Sequence, residues 1–373
     1  MLYNLIDSRQ LRFFLGANTP QGFVSRFDQL EKADEGWDAC ILKGGPGTGK
    51  SSLMKAVGKA IVDNHLSRQL ELIHCSSDVQ SLDAILAEDC RWYIVDGTAP
   101  HTVDAKFPGA YEQLVALGDC WDEEQLKANR EEIIRLFRLN SAAHERARRF
   151  LTAAGSLISN LYRIALPYTD LEKINRFAAA LANRELKPLS KSRGKESVRF
   201  LSAVTNQGIT FFAGTANYLC DRIYLVEDRY GAASRQLLGQ LKELALSRGY
   251  DVTACYCVIS PFEKLEHLFI PQLRLGFMTS NRFHPLASPA VEPYRVIHAV
   301  RFTDSEGIKE KKQLLQFTYK AALQLLEETT KDLKEAKAIH DQLESYYVKA
   351  MDFQKVEQIT DDILASILNR NQA

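Results

Sequence analysis

The sequence predicts an α/β protein made of two tandem copies of one domain, each a mostly parallel sheet covered by helices and extended by a long helical hairpin. Three observations carry this reading. Apolar strand-like runs alternate with amphipathic helical periods. The pattern recurs about 183 residues further on. The length of 373 residues accommodates two domains, each large enough to bury a core.

Taken in order, a strand near Arg12 to Leu15 precedes a helix around residues 22–31. The run Ala39-Cys40-Ile41-Leu42 is a strand, and Leu53, Met54, Val57, Ala60 and Ile61 mark one face of a helix from about Lys50 to Val62. A strand at residues 70–75, a short helix at 81–86 and a strand at 92–95 follow, an order that implies parallel strands covered on both faces. Asp122 and Gln125 then stand as a capping box ahead of a long helical region with apolar Leu126, Ile133, Phe137, Ala147, Phe150, Ala154, Leu157 and Leu161. The second copy repeats that region over residues 306–347, and each copy ends in a helix that starts near Asp170 or Asp352. Broken heptads favour an antiparallel hairpin in each half over a coiled coil. Lys187 to Lys195, polar, basic and punctuated by Pro188 and Gly194, reads as a linker, so the expected segments are 1–186, 187–196 and 197–373.

The duplication rests on specific echoes. Asp38 before the strand 39–42 matches Asp221 before Ile223-Tyr224-Leu225-Val226. Asp122 matches Asp304, and Asp170 matches Asp352. Arg12-Phe13-Phe14 with Gln21-Gly22 returns as Arg199-Phe200-Leu201 with Gln207-Gly208, one residue shorter.

Between the strand 39–42 and its helix lie Gly44, Gly45, Pro46, Gly47, Thr48, Gly49, Lys50 and Ser51, which fit GxxxxGK[ST], with Ser52 next to them. The chemistry explains the spacing. Glycines let successive backbone N–H groups turn inward around a β-phosphate, the lysine reaches the β/γ oxygens, and the adjacent hydroxyl ligates Mg²⁺. The helix that follows presents its positive end to the same phosphates. The expected ligands are therefore ATP and Mg²⁺. In the second copy the matching stretch, Glu227 to Arg235, lacks the first glycines and sets Ala233 opposite Lys50, so it is expected to hold no triphosphate.

Tyr93-Ile94-Val95-Asp96 is an apolar strand ending in a carboxylate, the pattern of a Walker-B strand, and makes Asp96 a metal-holding candidate beside Ser51. Thr279 stands at the matching position in the second copy, consistent with a lost metal site. Gly97 follows Asp96, so a group that orients water or deprotonates a substrate has to come from elsewhere. Asp78, His101 and Asp104 lie beyond strand ends where open α/β sheets place ligands, and Asp78 joins Lys50 and Asp96 as the catalytic set. Asn18 and Thr19 follow the first strand into the same zone.

Charge is balanced at 47 basic and 47 acidic residues, which gives no case for a whole-protein nucleic-acid or membrane-surface binder. The sequence holds no apolar run of membrane-spanning length and no signal-peptide layout at its start, so a cytoplasmic protein is expected. The seven cysteines show no CxxC spacing. Cys255 and Cys257 with His267, or His74 and Cys75 with His101, lack zinc-site spacings, and buried reduced thiols are the favoured reading.

The loop at residues 44–51 resembles that of P-loop NTPases. With Asn18-Thr19-Pro20-Gln21-Gly22, His74-Cys75-Ser76-Ser77-Asp78, Asp96-Gly97-Thr98-Ala99-Pro100-His101 and Met351-Asp352-Phe353 at their places, the whole chain resembles a bacterial family of tandem-duplicated P-loop ATPases found in spore-forming firmicutes. The resemblance implies two P-loop NTPase-like domains and ATP binding. Members commonly carry a competent loop in both halves, and this chain departs in the second. The expected function is Mg²⁺-dependent ATP hydrolysis in the N-terminal half with a regulatory or structural C-terminal copy. The alternatives are a small-molecule or nucleotide kinase and an ATP-gated sensor or scaffold. A protein partner or a second copy of the chain stays open.

Overall fold

The computed structural model describes residues 9–286 and 291–370. In the first copy, β1 (Arg9–Phe13), β2 (Gly16–Thr19), β3 (Gly22–Ser25) and β4 (Asp38–Lys43) precede α1 (Lys50–Asp63). Then come β5 (Gln69–His74), β6 (Leu82–Ala87), β7 (Trp92–Asp96), β8 (Glu112–Ala116), α2 (Glu123–Ala128), α3 (Arg130–Ala165) and α4 (Leu171–Glu185). The second copy repeats the strands as β9 (Glu196–Arg199), β10 (Ser202–Thr205), β11 (Gly208–Phe211) and, after α5 (Thr215–Leu219), β12 (Arg222–Glu227). It continues with α6 (Ala232–Ser247), β13 (Val252–Cys257), β14 (Ser260–Ile270), β15 (Leu275–Ser280), β16 (Arg295–His298), α7 (Lys312–Ala350) and α8 (Phe353–Arg370).

Two six-stranded sheets result, ordered β1-β5-β6-β7-β4-β8 and β16-β12-β15-β14-β13-β9. Read from opposite ends, they match strand for strand. In each, one strand runs against the rest: β6 is antiparallel to β5 and β7, and β14 to β13 and β15. The α/β class and the largely parallel sheets are as expected; the antiparallel strand is not. Residues 82–87 form strand β6 where a short helix is expected at 81–86. All six residues of β6 are buried, so no alternation betrays a strand, and a turn of seven residues after β5 is too short for a parallel crossover.

The helix expected over residues 22–31 is likewise absent. Gly22 (φ +106°) closes a hairpin between β2 and β3, in which the Thr19 hydroxyl donates to the Gly22 carbonyl at 2.7 Å, and a 3₁₀ turn at Phe27–Leu30 follows. Thr205 and Gly208 (φ +94°) repeat the device between β10 and β11.

The chain forms two compact units, and neither is a contiguous stretch. Among the described residues, one comprises 9–16, 30–146 and 331–370; the other comprises 17–29, 147–286 and 291–330. In the first unit, α8 lays Val356, Ile363 and Ile367 into the core with Leu53, Met54 and Val57 of α1. In the second, α4 lays Ile174, Ala178 and Leu181 against Leu237, Leu238 and Leu241 of α6. Each sheet is thus covered by the terminal helix of the other copy. The hairpin expected within each half is replaced by pairing between copies: the start of α3 packs Ile133 and Leu136 on Leu343 of α7, and Arg146 pairs with Asp332 at 3.2 Å and Glu335 at 2.6 Å.

Local capping follows the aspartates picked out by the repeat. Asp122 accepts from Gln125 N at 3.1 Å, while its own N–H donates to the Ala350 carbonyl at 2.8 Å. In the second unit Asp170 accepts from Lys173 N at 2.8 Å and donates its N–H to the Phe302 carbonyl. The segment 187–195 lies on the second unit: Leu189 N and Gly194 N donate to the Arg248 and Leu246 carbonyls, and the Tyr250 carbonyl leaves Gly194 no room for a Cβ. No helix among the described residues is long and apolar enough to cross a membrane.

Candidate functional site

Within the first unit, β4 runs straight into the loop 44–49, and α1 opens at Lys50 after Gly49 in the left-handed region (φ +85°). Gly47 is left-handed as well (φ +68°). Its missing Cβ matters twice, because one would meet the Glu344 backbone oxygen at 2.9 Å and Val348 at 3.0 Å. Thr48 is buried and donates to the Gly45 carbonyl at 3.0 Å, which ties the loop to itself. The Lys50 ammonium donates to the carbonyls of Gly44 (2.9 Å) and Gly45 (2.7 Å) and lies 3.6 Å from Asp96 Oδ2.

Asp96 reaches that place because β7 is the immediate sheet neighbour of β4, with Leu42 paired to Asp96. Its other oxygen accepts from Thr98 N at 2.9 Å and from the Thr98 hydroxyl. Ser51 accepts from Leu82 N at 3.0 Å, which brings the start of β6 to the loop. A Cβ on Gly97 would stand 2.6 Å from Ile41 and 2.8 Å from the Val103 carbonyl, so no larger side chain fits beside Asp96.

The next residue along β6 is Asp83, which sequence reasoning passed over. It is buried, His101 Nε2 stands 3.7 Å from its Oδ1, and Cys75 hydrogen-bonds to it. Burial and the neighbouring charge of Asp96 push the Asp83 carboxyl up to about 8. Burial also raises the Cys75 thiol well above its ordinary range and lowers His101. The signal was in the repeat: Cys75, Asp83 and His101 fall 182 or 183 residues before Cys257, Glu266 and His284. Reading β6 as a helix hid it.

The other candidates are placed differently. Asp78 accepts from Gln80 N at 3.1 Å and Ser81 Oγ at 3.1 Å and pairs with Lys337 at 3.4 Å, so its carboxylate holds the turn into β6. Asp104 is exposed and pairs with Lys43 at 2.7 Å. Asn18 and Thr19 belong to the second unit, where the Asn18 amide donates to the Val204 carbonyl at 3.2 Å.

The matching loop of the second unit is filled by its own chain. Four residues separate β12 from α6, against six between β4 and α1, so Ala232, not Ala233, takes the position of Lys50 after left-handed Gly231 (φ +73°). Asp228 turns into this loop and accepts from Tyr230 N (3.1 Å), Gly231 N (3.0 Å) and Ser234 N (2.7 Å). Its carboxylate sits where the backbone amides of a phosphate loop would meet an anion. The ammonium has moved too. Lys264, from β14, stands 3.5 Å from where Gly231 would carry a Cβ and pairs with Glu266 at 2.8 Å. Burial opposes the charge on Glu266, but Lys264, His284 and His267 hold its carboxyl well below the usual range.

The first loop therefore combines a glycine-lined turn, a lysine head, a hydroxyl and a carboxylate, a donor set that fits a nucleoside triphosphate with Mg²⁺; in the second, Asp228 occupies the loop amides and the nearby ammonium, Lys264, is paired with Glu266. Comparison of the chain with protein-family models, curated proteins and solved structures finds no match.

Proposed function

We propose that the chain binds one ATP, in its first unit, and turns it over in a Mg²⁺-dependent reaction. The observation that carries this reading is the meeting of Lys50, the first residue of α1, and Asp96, the last of β7, 3.6 Å apart at the mouth of a loop with left-handed glycines that follows the neighbouring strand β4. Backbone N–H groups of Gly45 and of residues 47–50 would bind the phosphates, Lys50 would leave the Gly44 and Gly45 carbonyls for the β/γ oxygens, and Ser51 and Asp96 would hold the metal. When bound, Mg²⁺ supplies the charge that neutralises the phosphoryl oxygens. Asp83, whose carboxyl keeps its proton up to about pH 8, is the acid left near the loop to donate a proton or orient a nucleophile. The second unit, its loop closed by Asp228, is a degenerate structural or regulatory copy.

Hydrolysis is the first reading and phosphoryl transfer to a small molecule the second, favoured by Gly97, whose packing excludes a glutamate next to Asp96. Calorimetric titration with a nonhydrolysable ATP analogue should give a stoichiometry near one per chain. Lys50→Ala should lose the binding heat and the melting shift, which at ~100 times the dissociation constant corresponds to roughly 2.7 kcal/mol. A stoichiometry near two, or an equal shift in the variant, would remove the assignment. Free phosphate alone on incubation with MgATP identifies an ATPase, and ADP matched by a phosphorylated metabolite identifies a kinase.

A further inference from the structure

Among the described residues one group of three metal-ligating side chains converges. The ligand atoms of Cys257, Glu266 and His284 all lie within 4.8 Å of one another, and all three residues are buried. They come from the end of β13, the middle of β14 and the loop after β15, so three separate elements of the second unit bring them together. Cys257 and His284 also line a cavity of about 800 Å³, which the same unit encloses with Arg235, Lys264 and Phe283.

The surroundings hold these groups as ligands are held. His284 Nε2 is 2.9 Å from the Ser202 hydroxyl, which leaves Nδ1 as the ring atom open to a metal. Glu266 Oε1 accepts from the Thr279 hydroxyl at 2.6 Å and the Asn281 amide at 2.7 Å, which orients Oε2. Phe211 stacks on His267 and stands edge-on to His284, closing the polar cluster on the side of β11.

A second observation is independent of this geometry. The two loops differ in length, and the second lacks the lysine of the first, yet Cys75, Asp83 and His101 keep the thiol, carboxylate and imidazole at the register of Cys257, Glu266 and His284.

We propose that Cys257, Glu266 and His284 bind a single borderline-soft divalent cation of the zinc type, with its fourth position open to the cavity. Three protein ligands and one open position are the arrangement in which zinc meets water or a small ligand, and a thiolate with an imidazole selects against Mg²⁺ and Ca²⁺. The Cys257 proton leaves to solvent as the sulfur–metal bond forms. Lys264, 2.8 Å from Glu266, is the internal competitor for the carboxylate, so it sets the affinity. The site is separate from the Mg²⁺ position proposed at Ser51 and Asp96, and it stands whether or not the first unit binds ATP.

The full chain, reduced and stripped with chelator, is titrated with Co²⁺ as the spectroscopic stand-in for zinc. The expected result is a near-ultraviolet thiolate-to-cobalt absorption that saturates at one equivalent and is displaced by Zn²⁺. Cys257→Ser should abolish that absorption, His284→Ala should weaken binding by at least ~10-fold, and Lys264→Met should tighten it. Cys75→Ser and Lys50→Ala should leave it unchanged. Circular dichroism checks that each variant is folded. Absence of the absorption in the folded wild-type chain would overturn the proposal, as would its survival in Cys257→Ser or its loss in Cys75→Ser.

Discussion

Asp83 shows how a residue acquires chemistry from its neighbours. A carboxyl in water titrates near 3.9, whereas burial and the charge of Asp96 carry this one to about 8. Between those values the unfolded chain has released the proton and the folded chain still holds it. Stability from this residue is therefore full below about pH 4 and is lost as pH rises through about 8, by a few kcal/mol in all. Asp83→Asn removes the ionisation and keeps the shape. Its melting temperature relative to wild type should climb steadily from pH 4 to pH 8.5; a constant difference across that range would show that Asp83 ionises freely in the fold.

At the scale of elements, the glycine loop at residues 44–49 is braced by segments remote from it in sequence. Gly45 faces Tyr347 and Trp121, Gly47 faces Glu344 and Val348, and Gly49 faces Phe353 and Val356. Gly47→Ala should combine two costs: a left-handed backbone that an L side chain resists, and a Cβ driven into the α7 backbone. Gly109 (φ +78°), in the same unit with nothing within 4 Å of its would-be Cβ, bears only the first. Gly109→Ala should destabilise by about 1 kcal/mol and Gly47→Ala by about 2–4 kcal/mol, read as melting shifts at roughly 2–4 °C per kcal/mol. Equal shifts would mean that α7 does not press on the loop.

For the whole molecule, the exchange of terminal helices means that neither half of the sequence carries a complete core. Residues 1–186 lack α8 and with it Val356, Ile363 and Ile367, each at most 7 % exposed in the first unit. Residues 187–373 lack α4 with Ile174, Ala178 and Leu181, each at most 2 % exposed in the second. Removing one such buried aliphatic side chain costs ~2–5 kcal/mol, so losing three exceeds the stability of an ordinary domain. Expressed separately, the two segments should show no cooperative melting, and mixing them should restore it. A cooperative transition in either segment alone would show that α8 or α4 is an accessory cover.

What the sequence determined by itself is local or periodic. The loop 44–51, the strand ahead of it, Asp96 on its own strand, the capping aspartates at 122 and 170 and the duplication are all legible because each depends on spacing along the chain. Strand β6 was not legible, since a strand buried on both faces shows no alternation and its apolar residues mimic a helical period. The hairpin of β2 and β3 was missed because it turns on one positive φ at Gly22. Cys75 with His101, and Cys257 with a histidine, are visible in the sequence, but Asp83, Glu266 and His284 are not, because the members of each cluster lie on three strands or loops, up to 27 residues apart in sequence, and only sheet order makes them neighbours. The tertiary structure alone decided that Asp228 closes the second loop, that Lys264 replaces a lysine lost from α6, and that each sheet takes its covering helix from the other copy. An apolar helix face records that it must be buried and carries no record of which sheet will bury it.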